Sequence, residues 1–248
     1  ETFSLNNIRV IAARDDEENT GLQRVAEAAA YYLDSVMKPG MVVGISWGNT
    51  LYRIVKYIST NNRKNIPITV VPIMGAATVK SPEKDAMDLA KDLASAYGGK
   101  YSYIYAPLFV KSRELKESLI QEENIRNVLE MSRKADAILT SVGSIADKSW
   151  SSYLSGKTLG SLEDKGAVGH IGGHFFDIRG KEVNTPLAER IIGIGLGDLK
   201  NCREVVCVAF GTAKAEAVLG ALRGGFLNTL IIDEACAARI LSAMEAPA

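Results

Sequence analysis

Lys214 is the residue whose type and setting ask most insistently for a ligand. It lies in Phe210-Gly211-Thr212-Ala213-Lys214-Ala215-Glu216, where an apolar run gives way to helical spacing. A cation just inside a helix N-terminus is badly placed against the helix dipole unless an anion neutralises it. Lys214 therefore reads as a flexible point charge for a phosphate or a hydroxyl, beside the backbone of Gly211 and Thr212. The alternative is a solvated lysine, or one paired with Glu216 or Glu234.

A second junction of the same kind is Gly44-Ile45-Ser46-Trp47-Gly48-Asn49-Thr50. Glycine allows a tight turn and close backbone approach, and Ser46, Asn49 and Thr50 offer hydrogen bonds. Either the segment binds a ligand, or Ser46 or Asn49 merely caps the next helix. It fits neither a Walker loop nor a GxGxxG fingerprint. Gly143-Ser144, after a central apolar run, is a third such turn, and it carries weight only if it converges with the other two. Trp47 could stack on a sugar ring or pack into the core. Tyr31-Tyr32 reads as helix-face packing, and residues 15–18 as a solvated acidic run.

Both histidines fall in His170-Ile171-Gly172-Gly173-His174, three residues before Asp177. HxxxH beside an acid raises a metal site. The paired glycines oppose a helix, however, and on a strand the two imidazoles need not meet at one ion. The reading adopted is ligand hydrogen bonding by His170 and a structural role for His174, with no metal and no cofactor.

Composition excludes several classes. The chain has 248 residues, 47% of them hydrophobic, with 29 basic and 29 acidic side chains. A domain gripping DNA with its own surface would show a basic excess, so any DNA contact belongs to another segment. Cys202, Cys207 and Cys236 form no CxxC pair, and their number is odd. With no signal peptide in view, this implies a reducing, cytoplasmic setting. No apolar stretch approaches the ~18 residues of a membrane span. The chain opens at Glu1 rather than Met, as a fragment or a processed product would.

The elements that must hold these residues alternate along the chain. Strands are predicted at 8–12, 41–45, 68–73, 103–106, 137–142, 190–194, 205–210 and 230–233. Helices are predicted at 21–37, 48–59, 82–96, 112–133 (as one or two), 214–222 and 234–244. The stretch from 143 to 160 reads as polar and Ser-rich. Near-continuous Val/Ile strands separated by helices imply one α/β domain over 1–248, with a parallel sheet covered on both faces. In such sheets ligands bind beyond the carboxyl ends of the strands, where all three junctions lie.

Taken together, residues 44–51 (GISWGNTL), 166–180 (GAVGHIGGHFFDIRG) and 209–241 (AFGTAKAEAVLGALRGGFLNTLIIDEACAARIL) resemble the sugar-binding domain of SorC/DeoR transcriptional regulators. Residues 70–75 (VVPIMG) and 135–144 (ADAILTSVGS) match more loosely, and all run in family order. The resemblance implies a Rossmann-like domain related to sugar-phosphate isomerases and CoA transferases. It also implies an effector site at the three junctions, extended to Gly75 and Ala76. In the family, the loop matching Ser46–Thr50 and the lysine matching Lys214 hold the phosphate or polar end of a sugar effector. The position matching His170 usually carries an acid. Met74 stands where some relatives have a basic residue, which excludes a Schiff base or charge contact there, and the Phe210–Ala213 loop lacks the usual double glycine. These departures read as a change of ligand within the class.

The implied function is sensing of a sugar, polyol or sugar phosphate, with operator DNA bound through an N-terminal helix-turn-helix domain absent from this chain. The assembly expected is a homo-oligomer, dimer or tetramer. The main rival is an isomerase- or deaminase-like enzyme acting on a phosphosugar, for which His170, Asp177 and Glu216 are the base candidates. A pure assembly module with a vestigial pocket is the third reading.

Overall fold

The computed structural model describes residues 3–12, 18–61, 64–77, 82–146 and 154–245. Seven parallel strands form the main sheet: β1 (Asn7–Ile11), β2 (Val42–Ile45), β3 (Thr69–Pro72), β4 (Lys100–Tyr101), β5 (Ala137–Thr140), β9 (Glu204–Ala209) and β10 (Thr229–Asp233). Their order across the sheet is β1-β10-β9-β5-β2-β3-β4. The chain steps outward from β2 through β3 to β4, then returns to place β5 on the other side of β2. The order thus reverses between β2 and β5, and a crevice opens at such a reversal beyond the carboxyl ends of the strands.

Alternation along each strand sends side chains to two cores. Val206 and Val208 of β9, Val43 and Ile45 of β2 and Ile231 of β10 pack with α1 (Glu18–Val36), α2 (Asn49–Asn61) and α3 (Ala86–Ala96). Val205, Cys207 and Ala209 of β9, with Leu230 and Ile232 of β10, point the other way. They meet α7 (Leu196–Asn201), α8 (Ala215–Gly224) and α9 (Glu234–Glu245). Over β3 on that same side, α5 (Glu123–Arg133) contributes Ile125, Val128 and Leu129 to a smaller cluster with Val71. The central strands of a parallel sheet need both faces covered, and β2, β3, β5, β9 and β10 are accordingly buried on both. Gly44 permits close packing of β2 on β3, since a Cβ there would come within 2.7 Å of the Ile73 side chain.

The departures from the sequence reading cluster above the sheet. A three-stranded antiparallel sheet, β6 (Gly143–Ser144), β7 (Ala167–Ile171) and β8 (His174–Asp177), takes in the start of the stretch read as polar and Ser-rich and residues further on for which no strand was expected. Gly172 and Gly173 turn the β7–β8 hairpin with φ of 58° and 87°, the two positive values that a tight two-residue turn requires. Two helices were not anticipated, α6 (Gly156–Asp164) and α7; α6 is started by Ser155, whose hydroxyl accepts from Thr158 N.

Residues 112–133 form two helices, α4 (Arg113–Leu119) and α5. The strand expected at 103–106 is displaced: β4 ends at Tyr101, and Ala76 bridges Pro107 beyond it. The strand expected at 190–194 makes only isolated bridges, Ile191 to Phe109 and Gly193 to Met74. It crosses the loops above the sheet, so its apolar pattern reflects burial there and not a place in the ladder. The acidic run at 15–17 lies outside the described residues.

Candidate functional site

The loop after β2 begins at Ser46, which is 2% exposed, and its hydroxyl shares a 3.1 Å hydrogen bond with that of Thr140 at the end of β5. This pair spans the point where the strand order reverses. Gly48 follows with φ of 121° and open space where a Cβ would be. Asn49 is the first residue of α2 and is exposed, so it lies inside the helix rather than before it. Thr50 is half-buried, as is Trp47, which packs on the core of the α8–α9 side.

The loop after β3 is tied to its surroundings. A side chain on Gly75 would reach within 2.6 Å of the Ala106 carbonyl oxygen, so only glycine lets the β3 and β4 loops touch. Ala76 N donates to Ala106 O, and Ala77 N donates to Asp85 Oδ2 at 2.8 Å. The other oxygen of Asp85 accepts from Met87 N and caps α3. Gly48 N donates to the carbonyl of neighbouring Lys84, which joins the β2 loop to the same cluster.

β5 leads directly into β6, where Gly143 lies opposite His170 of β7. A Cβ on Gly143 would fall inside the His170 ring. His170 is 5% exposed and its ring centroid stands 5.4 Å from that of Phe175. Ser144 is also buried, and its hydroxyl accepts from Ala146 N. The hairpin is pressed in turn onto α8, because a Cβ on Gly169 would come within 2.6 Å of the Ala217 side chain. Lys214 sits at the N-terminal end of that helix, after Gly211, which has φ of 89° and open space over its Cα. Thr212 is exposed and Lys214 half-buried. The Lys214 charge acts on the buried thiols of Cys207 and Cys236, drawing against the burial that pushes both up to about 12. The turn that carries Lys214, residues 212–214, lies against α9.

Ser46 to Thr50, Gly75, Ala76, Gly143, Ser144, Gly211, Thr212 and Lys214 thus follow the carboxyl ends of β2, β3, β5 and β9, and His170 joins them from β7 through its pairing with Gly143. β2, β5 and β9 are adjacent, so the Ser46 and Gly211 loops are separated by two strand spacings, about 10 Å. Asp177 is not brought to this group. Its carboxylate accepts from Arg179 N and Lys181 N in the turn after β8, and its backbone packs on Gly220, well along α8 from Lys214. The two histidines diverge as well. His170 registers with Phe175 and His174 with Ile171, so the imidazoles occupy opposite faces of the hairpin. His174 Nδ1 lies 2.6 Å from Glu182 Oε1. Among the described residues no cluster of three or more His, Cys, Asp or Glu is placed to hold a metal.

Three residues that matter here were not singled out from sequence: Thr140, Asp85 and Asp233. Asp233, 2% exposed, accepts from Gly211 N at 2.7 Å with one oxygen and from Cys236 N at 3.1 Å with the other. The legible signal for Asp233 was an acid immediately before a helical pattern, whereas Asp85 lay inside the helix predicted at 82–96.

Comparison with known proteins decides the family. The family described as "Putative sugar-binding domain" matches residues 1–242. The chain belongs to it. This sugar-binding domain is 31% identical to the transcriptional regulator LsrR of Escherichia coli, over 96% of the chain and 74% of that protein. It is 28% identical to the deoxyribonucleoside regulator of Bacillus subtilis, over 83% of the chain and 66% of that protein. Among solved structures, a probable sor operon regulator from Shigella flexneri superposes with a TM-score of 0.86 at 25% identity, covering 96% of this chain and 94% of that one. A DeoR family regulator from Listeria monocytogenes gives 0.85 at 29% identity, covering 95% and 94%. The sugar-binding domain thus has the architecture of SorC/DeoR regulators, as the motifs implied. Among the described residues no helix is long and apolar enough to cross a membrane.

Proposed function

We propose that this sugar-binding domain is a sensor that holds a sugar, polyol or sugar phosphate at the carboxyl edge of the sheet and passes its occupancy to DNA-binding elements elsewhere in a regulator. The observation that carries this reading is the meeting of the Ser46, Gly143 and Gly211 loops around the Ser46–Thr140 pair, with Lys214 on the rim. Gly48 and Gly211, each open above its Cα, leave room for a ligand oxygen beside the turns, whose own N–H groups at these two positions are bonded within the protein. Lys214 supplies the one charge that a phosphoryl or acidic sugar group requires. His170, buried beside Gly143, replaces an acceptor carboxylate with an imidazole, which changes which sugar hydroxyls are welcome.

Binding without turnover is part of the proposal. Asp177 is engaged in its own turn and Glu216 is exposed on α8, so the three base candidates do not gather at one substrate carbon. A thermal-shift screen of sugars, polyols and their phosphates tests the reading. A saturable rise in melting temperature with at least one of them, and no product formed, is expected. No rise with any compound overturns it.

The working form is proposed to be a cytoplasmic homo-oligomer, dimer or tetramer, contacting operator DNA through a helix-turn-helix segment outside residues 1–248. Ile8 and Val10 on edge strand β1 and Leu241 on α9 are 55%, 48% and 61% exposed and line one apolar groove. A second copy of the chain is the occupant proposed. Sedimentation should give a smaller species for Leu241→Glu than for the wild type.

A further inference from the structure

We infer that Asp233 is the positioning residue of the effector loop, setting the ligand-facing backbone of residues 211–214 by the position of α9. The inference rests on the sensor reading above and adds the means by which occupancy leaves the site. One carboxylate oxygen accepts from Gly211 N at 2.7 Å, and the other accepts from Cys236 N at 3.1 Å in the first turn of α9. The side chain is 2% exposed, so water does not compete for either bond. A buried carboxylate that accepts two amides is held strongly, because charge-assisted bonds are shorter and stronger than neutral ones.

The geometry has two consequences. Gly211 N–H is already engaged, so the amides left to meet a ligand are those further along the turn, with Lys214 beyond them. Any ligand that draws this turn toward itself also moves the Asp233 carboxylate, which is the N-cap of α9. That helix carries Leu241 and borders β1, so the carboxylate connects the pocket to the apolar groove.

Asp233→Ser separates the two bonds. Serine caps a helix about as well as aspartate, so α9 keeps its start and the domain folds, but a single hydroxyl cannot also hold Gly211. Asp233→Asn serves as the second variant: it retains a cap oxygen and turns an amide donor toward the Gly211 N–H. The probe is inorganic phosphate, followed by calorimetry and by amide hydrogen exchange on the full 248-residue chain. In the wild type, phosphate is expected to slow exchange at residues 211–214 and in the first turn of α9 together. In both variants the Gly211 amide is expected to exchange faster. Phosphate should bind at least roughly tenfold more weakly, and protection of α9 should no longer follow phosphate.

Unchanged Gly211 exchange in a folded variant overturns the assignment. So does faster exchange with unchanged phosphate affinity, or α9 protection that still follows phosphate. A wild type indifferent to phosphate overturns the sensor reading for phosphorylated effectors and this inference with it, and it shows before any variant is made.

Discussion

The imidazole of His170 occupies the volume that a side chain at position 143 would need, and the backbones of the two residues are paired across β6 and β7. The small sheet is thereby locked over the end of β5. Because the partner atoms belong to a buried ring, the clash cannot be relieved by a flexible chain end. Gly143→Ala is expected to destabilise the domain by about 1–3 kcal/mol, the range for overpacking, read as a lowered thermal midpoint. Removing the obstruction in Gly143→Ala/His170→Ala should recover part of that loss. A double variant no more stable than Gly143→Ala alone would mean that the contact is not the cause.

Lys214 is argued to be a ligand group and not a fold determinant. Lys214→Ala should weaken binding of a sugar phosphate roughly tenfold to a hundredfold by calorimetry, the scale of a lost charged hydrogen bond. The melting temperature without ligand should move by no more than about two degrees, as for substitutions outside the tightly packed core. Lys214→Arg should retain part of the affinity, since the charge remains while its geometry changes.

Much of this arrangement was readable before the structure. Strands β2, β3, β5, β9 and β10 announce themselves as apolar runs, and the helices after β2, β3, β9 and β10 by their spacing. The three junctions fell on the strand ends where the sheet puts them. The hairpin of β7 and β8 was not legible, because its short, glycine-rich strands pair above the main sheet and are held by Gly143, Gly169 and Ala217, which only tertiary packing brings together. Residues 190–194 misled for the opposite reason, carrying a strand's apolar pattern in a segment buried over loops. Asp85 fell inside the helix predicted at 82–96, and Asp233 at the end of the strand predicted at 230–233. That each spends its second oxygen on a neighbouring loop amide is a fact of side-chain direction, which spacing does not encode.

The three cysteines should be chemically silent in the folded domain. Burial pushes Cys207 and Cys236 up to about 12, and raises Cys202, whose thiol donates to the Ala135 carbonyl. At pH 8 a thiol shifted as Cys207 and Cys236 are is ionised in only about one molecule in ten thousand, and the thiolate is the reactive form. Titration with a chromogenic disulfide should show no fast-reacting thiol in the native protein and three after denaturation. Reaction of Cys207 or Cys236 within seconds in the native state would contradict the packing of β9 against α9.

Glu182 makes acid stability a test of the hairpin. Its carboxylate lies 2.6 Å from His174 Nδ1, and this hydrogen bond lowers its pKa below the ordinary 4.5, with the charges of His174 and Lys116 acting the same way and burial opposing them. A carboxylate whose folded pKa is depressed releases its proton more readily in the native state than in the unfolded one. Its contribution is therefore complete above the unfolded value and is lost as pH falls from there through the folded value. Glu182→Gln cannot titrate, so it should be less stable than the wild type near neutrality, and the gap should narrow as the pH drops below 4.5. Paired thermal melts of the two proteins across that range measure the gap. A gap that stays constant with pH would show that the glutamate acts there by shape alone, without its charge.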